Sequence, residues 1–130
     1  MDFLNSNSML LSQRVLDVSW ERQRLALENI ANVDTPGFKA RFATFEDELR
    51  SRLGRLQDRG DVRRSDIREA ILRTGFQTMR SEEESMRADG NNVNLDVEQL
   101  EVVRNAYHYQ FALRQISDQL SRLRTAIEGR

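Results

Sequence analysis

Asn29-Ile30-Ala31-Asn32-Val33-Asp34-Thr35-Pro36-Gly37-Phe38-Lys39-Ala40 is the stretch in which a long helical pattern ends and the chain turns. Thr35–Phe38 suits a type II turn, because Pro36 fixes φ at about −65° in the second position and Gly37 allows a positive φ in the third. Pro36 also disfavours helical geometry in the residue before it, so we expect the helix to end at or before Asp34. Taken alone, the local pattern predicts a helix end followed by a turn.

The residues before this turn predict a helix over residues 8–32. Its apolar residues are spaced alternately four and three apart, which is the heptad pattern of a helix that packs on another helix. The predicted seam of this helix contains Leu11, Val15, Val18 and Leu25. A second apolar stripe beside it contains Met9, Leu16, Trp20, Leu27 and Ile30. Asn32 is a candidate for the residue that ends the helix, since Asn tolerates left-handed backbone geometry.

A second long helix is predicted over residues 96–128, with Asn94 or Asp96 as its N-cap. Asp96 followed three residues later by Gln99 resembles a capping box. The predicted seam of this helix contains Val102, Ala106, Tyr109, Leu113, Ile116, Leu120, Leu123 and Ile127. A second stripe in its first half contains Leu100, Val103, Tyr107 and Phe111.

The two seams predict an all-α fold in which the N- and C-terminal helices pair as an antiparallel coiled coil. We expect residues 1–38 and 92–130 to form one discontinuous core domain. A single hairpin of two helices leaves the second apolar stripes uncovered, so it is under-buried for a stable monomer. The surplus predicts contacts with helices of other copies or of other proteins.

The middle of the chain, residues 39–91, is predicted to be a short helix followed by a polar, partly extended segment. Residues 45–53 begin acidic and end basic, as the helix dipole favours. Residues 66–73 fit a short helix or a strand. Mixed charge with few apolar residues favours a weakly structured remainder. Asp89–Asn94 is a predicted turn, and its spacing does not match a calcium-binding EF-hand loop.

Composition excludes several classes of function. The chain has 20 basic and 21 acidic residues, so its net charge of −1 creates no field that would attract nucleic acid. It has no cysteine, which excludes disulfides and thiolate metal sites. The single histidine, His108, has no metal-binding or acid–base partner three or four residues away. The sequence contains no phosphate loop or nucleophile motif, so we expect no enzyme, cofactor or metal.

The ends and the hydropathy bear on localisation. The first six residues lack the basic start and the apolar run of a cleaved secretory signal. No apolar run approaches the roughly 20 residues of a membrane-spanning helix. If the protein leaves the cytoplasm, we expect a route that cleaves no ordinary signal peptide.

The stretch 29–40 resembles the signature of the bacterial flagellar axial proteins, which include rod, hook and hook-associated proteins. In that family an N-terminal helix ends in Asn-x-Ala-Asn and is followed by a Thr-Pro-Gly-(Phe/Tyr)-Lys turn. This chain has Val33 and Phe38 where alanine and tyrosine are common. Residues 89–96 and 105–110 are similar to the proximal rod proteins of the same family.

The resemblance implies a structural subunit of the flagellar basal body, exported unfolded through the type III apparatus. It implies a helical assembly that transmits torque and lines the export channel in the periplasmic rod. The implied partners are other rod proteins, copies of itself, the inner-membrane ring protein, the small rod adaptor and the export apparatus. By analogy, the residues that set the exit angle of the helix and contact a neighbouring subunit are Asn29, Asn32, Thr35, Pro36, Gly37 and Phe38.

Two other classes of function compete with this interpretation. A soluble helical adaptor or regulator that binds one partner helix would also need apolar seams, but it does not explain the stretch 29–40. An enzyme on a helical scaffold would need a catalytic constellation, and the sequence offers none.

Overall fold

The computed structural model describes residues 6–85 and 87–129. In these ranges the elements are α1 (Asn7–Ala31), β1 (Arg41–Thr44), α2 (Glu46–Gln57), α3 (Arg64–Arg73), β2 (Gln77–Arg80) and α4 (Leu95–Glu128). The described chain is mostly helical, and its two long terminal helices pack together. The parts of the sequence-based expectations that concern residues 1–5, 86 and 130 lie outside the described residues.

Both long helices begin and end within one residue of their predicted bounds. The Ser6 hydroxyl caps α1 by accepting a hydrogen bond from the Met9 N–H at 3.2 Å. The Asn94 side chain caps α4 by accepting from the N–H groups of Asp96 and Val97, at 3.1 and 3.4 Å. The expected capping box at Asp96 is therefore wrong. Asp96 lies in the first turn of α4, where the positive end of the helix dipole stabilises its negative charge.

Contacts at both ends of α1 define how the long helices lie together. Near the start of α1, the Gln119 amide donates to the Ser8 hydroxyl at 3.0 Å. Near the end of α1, the Asn29 side chain lies close enough to the Glu98 carboxylate to lower its pKa. Between these points Val18 and Leu25 are buried, and Leu11 and Val15 are half-buried.

The face of α4 that meets α1 differs in part from its predicted seam. Val102, Ile116 and Leu123 are half-buried, but Ala106, Tyr109, Leu113, Leu120 and Ile127 are exposed. At three places along α4, the residue that precedes a predicted seam residue is more buried than the seam residue itself. These more buried residues are Asn105, Ala112 and Gln119. A hydropathy pattern selects large apolar residues and so does not identify small or polar residues in a contact face. A small residue such as Ala112 permits two helices to approach closely.

The middle of the chain folds against α1. β1 and β2 form an antiparallel pair, in which Phe42 lies opposite Met79. This sheet was not predicted, because strands of four residues are too short to show a readable alternation. Residues 64–73 form a helix rather than a strand, and α3 places Ile71 in the core. The Arg14 guanidinium donates to the Leu72 carbonyl oxygen at 3.0 Å and thereby ties this region to α1.

Among the described residues, no helix combines the length and the apolar character needed to cross a lipid bilayer.

The observed face of α4 can be tested with one substitution at two adjacent positions. Ala112→Glu places a charge where the side chain is 2% exposed, and we expect the free energy of unfolding to fall by about 3 kcal/mol. Leu113→Glu changes a side chain that is 42% exposed, and we expect a loss of about 1 kcal/mol or less. Urea unfolding followed by circular dichroism measures both. A larger loss for Leu113→Glu would favour the predicted seam over the observed face.

Candidate functional site

The corner after α1 has the geometry that its sequence predicts. Gly37 has φ of +72°, and the Phe38 N–H donates to the Thr35 carbonyl oxygen at 3.2 Å, as a type II turn requires. Asn32 ends the helix, but with φ of −107° rather than in the expected left-handed conformation. Its side-chain amide instead donates to the Glu28 carbonyl oxygen at 2.8 Å, and its Oδ1 accepts from the Thr35 hydroxyl at 3.1 Å.

Asn91 binds three carbonyl groups of this corner from more than fifty residues away. Its Nδ2 donates to the carbonyl oxygens of Asn32, Val33 and Thr35, at 2.9, 3.1 and 2.8 Å. Its Oδ1 accepts from the Val93 N–H at 2.8 Å. The Asn91 side chain is 1% exposed. The same three carbonyl oxygens also accept hydrogen bonds from the Thr35 N–H, the Arg87 guanidinium and the Phe38 N–H. Asn91 therefore fastens the residues that follow α1 to the segment that leads into α4.

The loop that contains Asn91 also contacts the turn through its backbone. The Gly37 N–H donates to the Asp89 carbonyl oxygen at 2.8 Å, and the Asn92 N–H donates to the Phe38 carbonyl oxygen at 3.3 Å. A Cβ atom on Gly90 would lie 3.8 Å from the Cα atom of Gly37, an ordinary contact distance, so the two turns lie side by side. The predicted turn at 35–38 and the predicted turn at 89–94 thus form one structure.

Two further asparagines hold the chain as it leaves the corner. Asn29 pairs with the backbone of Arg41: its Nδ2 donates to the carbonyl oxygen at 2.8 Å and its Oδ1 accepts from the N–H at 2.9 Å. Asn92 accepts from the Ala40 N–H at 2.8 Å and donates to the Glu83 carbonyl oxygen at 3.0 Å. The exit direction is therefore set by side-chain amides that mimic a strand partner.

Arg22 connects α1 to the next part of the chain. Its guanidinium donates to the Ala43 carbonyl oxygen at 3.1 and 3.2 Å and to both carboxylate oxygens of Glu46. The hydrogen bonds from Arg22 are the main reason that the pKa of Glu46 is lowered, against an opposing effect of burial. Glu46 is the first residue of α2, so this ion pair fixes where α2 starts relative to α1.

A groove of about 590 Å³ lies beside the corner, between α1, β1 and the first turns of α4. Burial is the main reason that the pKa of Glu98 in this groove is raised, and the hydrogen bond with Asn29 opposes it. His108 also lines the groove but is itself exposed. No three His, Asp or Glu side chains of the described ranges are placed to hold a metal ion together.

The structure separates the predicted site residues into two groups. Asn29 is buried, whereas Thr35, Pro36 and Gly37 form an exposed tip with Asn32 and Phe38 half-buried beneath them. The predicted seam residues lie along α1 and α4, away from this tip.

Sequence reasoning missed the roles of Asn91, Asn92 and Arg22. Residues 89–94 were interpreted as a turn, with Asn94 as a candidate N-cap, and the contacts of Asn91 and Asn92 were not predicted. The sequence feature that could have indicated these contacts is the group of asparagines directly before a long helix. Arg22 interrupts the apolar seam of α1, which could have indicated an ion pair with a neighbouring element.

Comparison with known proteins finds sequence similarity to one group of proteins. A scan against protein-family models finds no match. The chain is 36% identical over 113 residues to the flagellar basal body rod protein FlgB of Cereibacter sphaeroides, covering 83% of this chain and 84% of that protein. It is 32% identical over 121 residues to FlgB of Aeromonas hydrophila, covering 92% and 91%. It is 29% identical over 109 residues to FlgB of Bacillus subtilis, covering 83% of each.

The role of Asn91 can be tested with a substitution that keeps its shape. Asn91→Asp removes the amide donor and aims a carboxylate at three carbonyl oxygens, so we expect unfolding to require about 3 kcal/mol less. Asn94→Asp is the matched control, because Asp is as good an N-cap as Asn and little change is expected. Denaturant unfolding gives both values, and hydrogen exchange should show residues 32–38 losing protection only in the first variant. Equal stability of the two variants would refute the proposed role of Asn91.

Glu98 predicts a dependence of stability on pH. Because its pKa is raised in the folded state, its contribution is most favourable below the unfolded value near 4.5 and is lost as pH rises through the folded value. We therefore expect Glu98→Gln to be more stable than the wild type at pH 7, with the difference shrinking toward pH 4. Glu69→Gln, on the surface of α3, should show no gain at pH 7. Thermal unfolding at a series of pH values measures this, and a gain that grows toward pH 4 would contradict it.

Proposed function

Because the chain belongs to the family of flagellar basal body rod protein FlgB, we propose that it is a structural subunit of the proximal rod that helps transmit torque and line the export channel. The observation that supports this most is the corner described above. Its tip is exposed, yet its backbone is held by the buried Asn91 amide and by the Asp89 carbonyl oxygen, both more than fifty residues away in the sequence. Such a rigid, exposed tip suits a contact that must keep one angle between subunits.

We infer that α1 and α4 form an antiparallel coiled coil within a discontinuous core domain of residues 1–38 and 92–130. The contacts between Ser8 and Gln119 and between Asn29 and Glu98 support opposite directions. Residues 39–91 then form a separate region, which lies against α1 through β1 and α3.

The turn residues and the seam have distinct roles in this proposal. Asn29 and Asn32 set the exit angle of the chain from α1, and Thr35, Pro36, Gly37 and Phe38 contact a neighbouring subunit. The seam holds the two helices of one subunit together. A subunit that transmits torque benefits from a corner with little freedom, because directional hydrogen bonds resist bending.

The proposed partners follow from a position at the start of the rod. They are other rod proteins, copies of this chain, the inner-membrane ring protein and the small rod adaptor, with the export apparatus as the route of delivery. The proposed location is the periplasmic part of the basal body, reached without a cleaved signal peptide. The role is mechanical rather than enzymatic and uses no cofactor.

Gene deletion and complementation in the native host test this proposal. We expect the deletion strain to lack rods in electron micrographs of basal bodies and to be non-motile, and the wild-type gene to restore both. Full-length rods in the deletion strain would refute the proposed function.

The role of the turn is tested separately with one substitution at two glycines. Gly37→Val blocks the positive φ and should abolish assembly while the protein still reaches the periplasm in immunoblots. Gly54→Val is the control: this glycine lies in α2 with no atom within 4 Å of an added Cβ, so motility should persist. Normal swimming with Gly37→Val would refute the role of the turn and leave the rod assignment intact.

A further inference from the structure

The pair of long helices carries an apolar face on each of its two outer sides. On α4, Leu100, Val103, Tyr107 and Phe111 are 57%, 51%, 69% and 64% exposed. These residues lie opposite the side of α4 that holds Asn105 and Ala112 against α1. On α1, Trp20 and Leu27 are 68% and 52% exposed and lie two helical turns apart on one line. Neither face is covered by the described part of the middle region.

The two outer faces lie at the same level along the helix pair. In the contacts Ser8 with Gln119 and Asn29 with Glu98, the two residue numbers add to 127. The same relation places Trp20 level with Tyr107 and Leu27 level with Leu100. A second copy of the chain, translated sideways without sliding along the helix axis, therefore brings the outer face of one α1 onto the outer face of the next α4.

From this match we propose that the occupant of each face is a second copy of this chain, through a heterologous contact between Trp20 and Leu27 of one copy and the α4 face of the next. The inference rests on the proposed function, since it names the lateral partner within the assembly. A heterologous contact leaves one free face of each kind at the two ends, so copies add in a row and do not stop at a dimer.

Charge supports the same pairing. Asp17 lies on the outer side of α1, with its side chain 62% exposed and a partner, Arg14, only at 4.0 Å. Arg114 lies on the outer side of α4, one turn beyond the level of Asp17, and makes no ion pair with another described side chain. In the proposed contact the Arg114 guanidinium reaches the Asp17 carboxylate, which gives the apolar faces a preferred register.

The area of the contact fits a row of copies better than an isolated pair. Large side chains offer about 200 Å² each, so six that are more than half exposed contribute roughly 700 Å². Stable pairwise interfaces bury about 1,200–2,000 Å². An isologous contact between two α4 faces would leave Trp20 and Leu27 in water, whereas the heterologous contact covers both faces of every inner copy.

Engineered cysteines test the contact, because the chain has none of its own. We expect full-length Leu27→Cys/Leu100→Cys protein in purified basal bodies to form a ladder of dimers, trimers and larger species on mild oxidation. The two cysteines of one copy lie on opposite outer sides of the helix pair, too far apart to join each other. Each single variant should stay monomeric, and so should Gln13→Cys/Leu100→Cys, whose first cysteine lies about 21 Å further along the axis.

Each alternative outcome has a defined meaning. Basal bodies that contain the double variant without a ladder would overturn this contact and leave the proposed function standing. Dimers of the single Leu100→Cys variant would show an isologous α4 contact instead. A ladder of equal yield from the Gln13→Cys variant would show that the register is wrong. Absence of the chain from basal bodies would refute the proposed function, and this inference with it.

Discussion

The fold depends on one buried amide. Asn91 donates through its Nδ2 to three carbonyl groups in the corner after α1, and its Oδ1 accepts from the segment that leads into α4. Local N–H groups already bond to the carbonyl oxygens at the end of α1 and in the turn, and Asn91 adds a donor from a distant part of the chain. The corner that follows the first long helix is thus fastened to residues that immediately precede the second one.

This dependence couples parts of the chain that are distant in sequence. When Asn91 binds the corner, Asn92 lies beside residues 38–40 and Asn29 lies beside Arg41. The chain then enters β1 at a fixed angle, and Arg22 joins that strand to the start of α2. In a chain with 38% hydrophobic residues, such polar joints provide order that a small core alone could not provide.

Elements with a repeating or local sequence pattern were predicted correctly, whereas features that depend on individual long-range contacts were missed. The two long helices and the turn at Gly37 were correct, because heptads and a Pro-Gly pair are local signals. The contact face of α4 was only partly predicted, since Asn105 and Gln119 are polar and Ala112 is small, and hydropathy does not select such residues. The β1–β2 pair and the role of Asn91 join residues far apart in the sequence, so no periodicity could indicate them.

Two kinds of interaction have different roles in this structure. Hydrogen bonds are directional, and they are concentrated at the corner, where Asn29, Asn91 and Asn92 fix an angle. Apolar contact is not directional, and the exposed apolar surface is spread along the outer sides of α1 and α4. In an assembly built by adding copies, a small error in the angle between subunits accumulates with each added copy. A weak contact between two copies has no such cumulative effect on the shape of the assembly. It follows that the polar joint must be rigid within each subunit, while the apolar faces can remain individually weak.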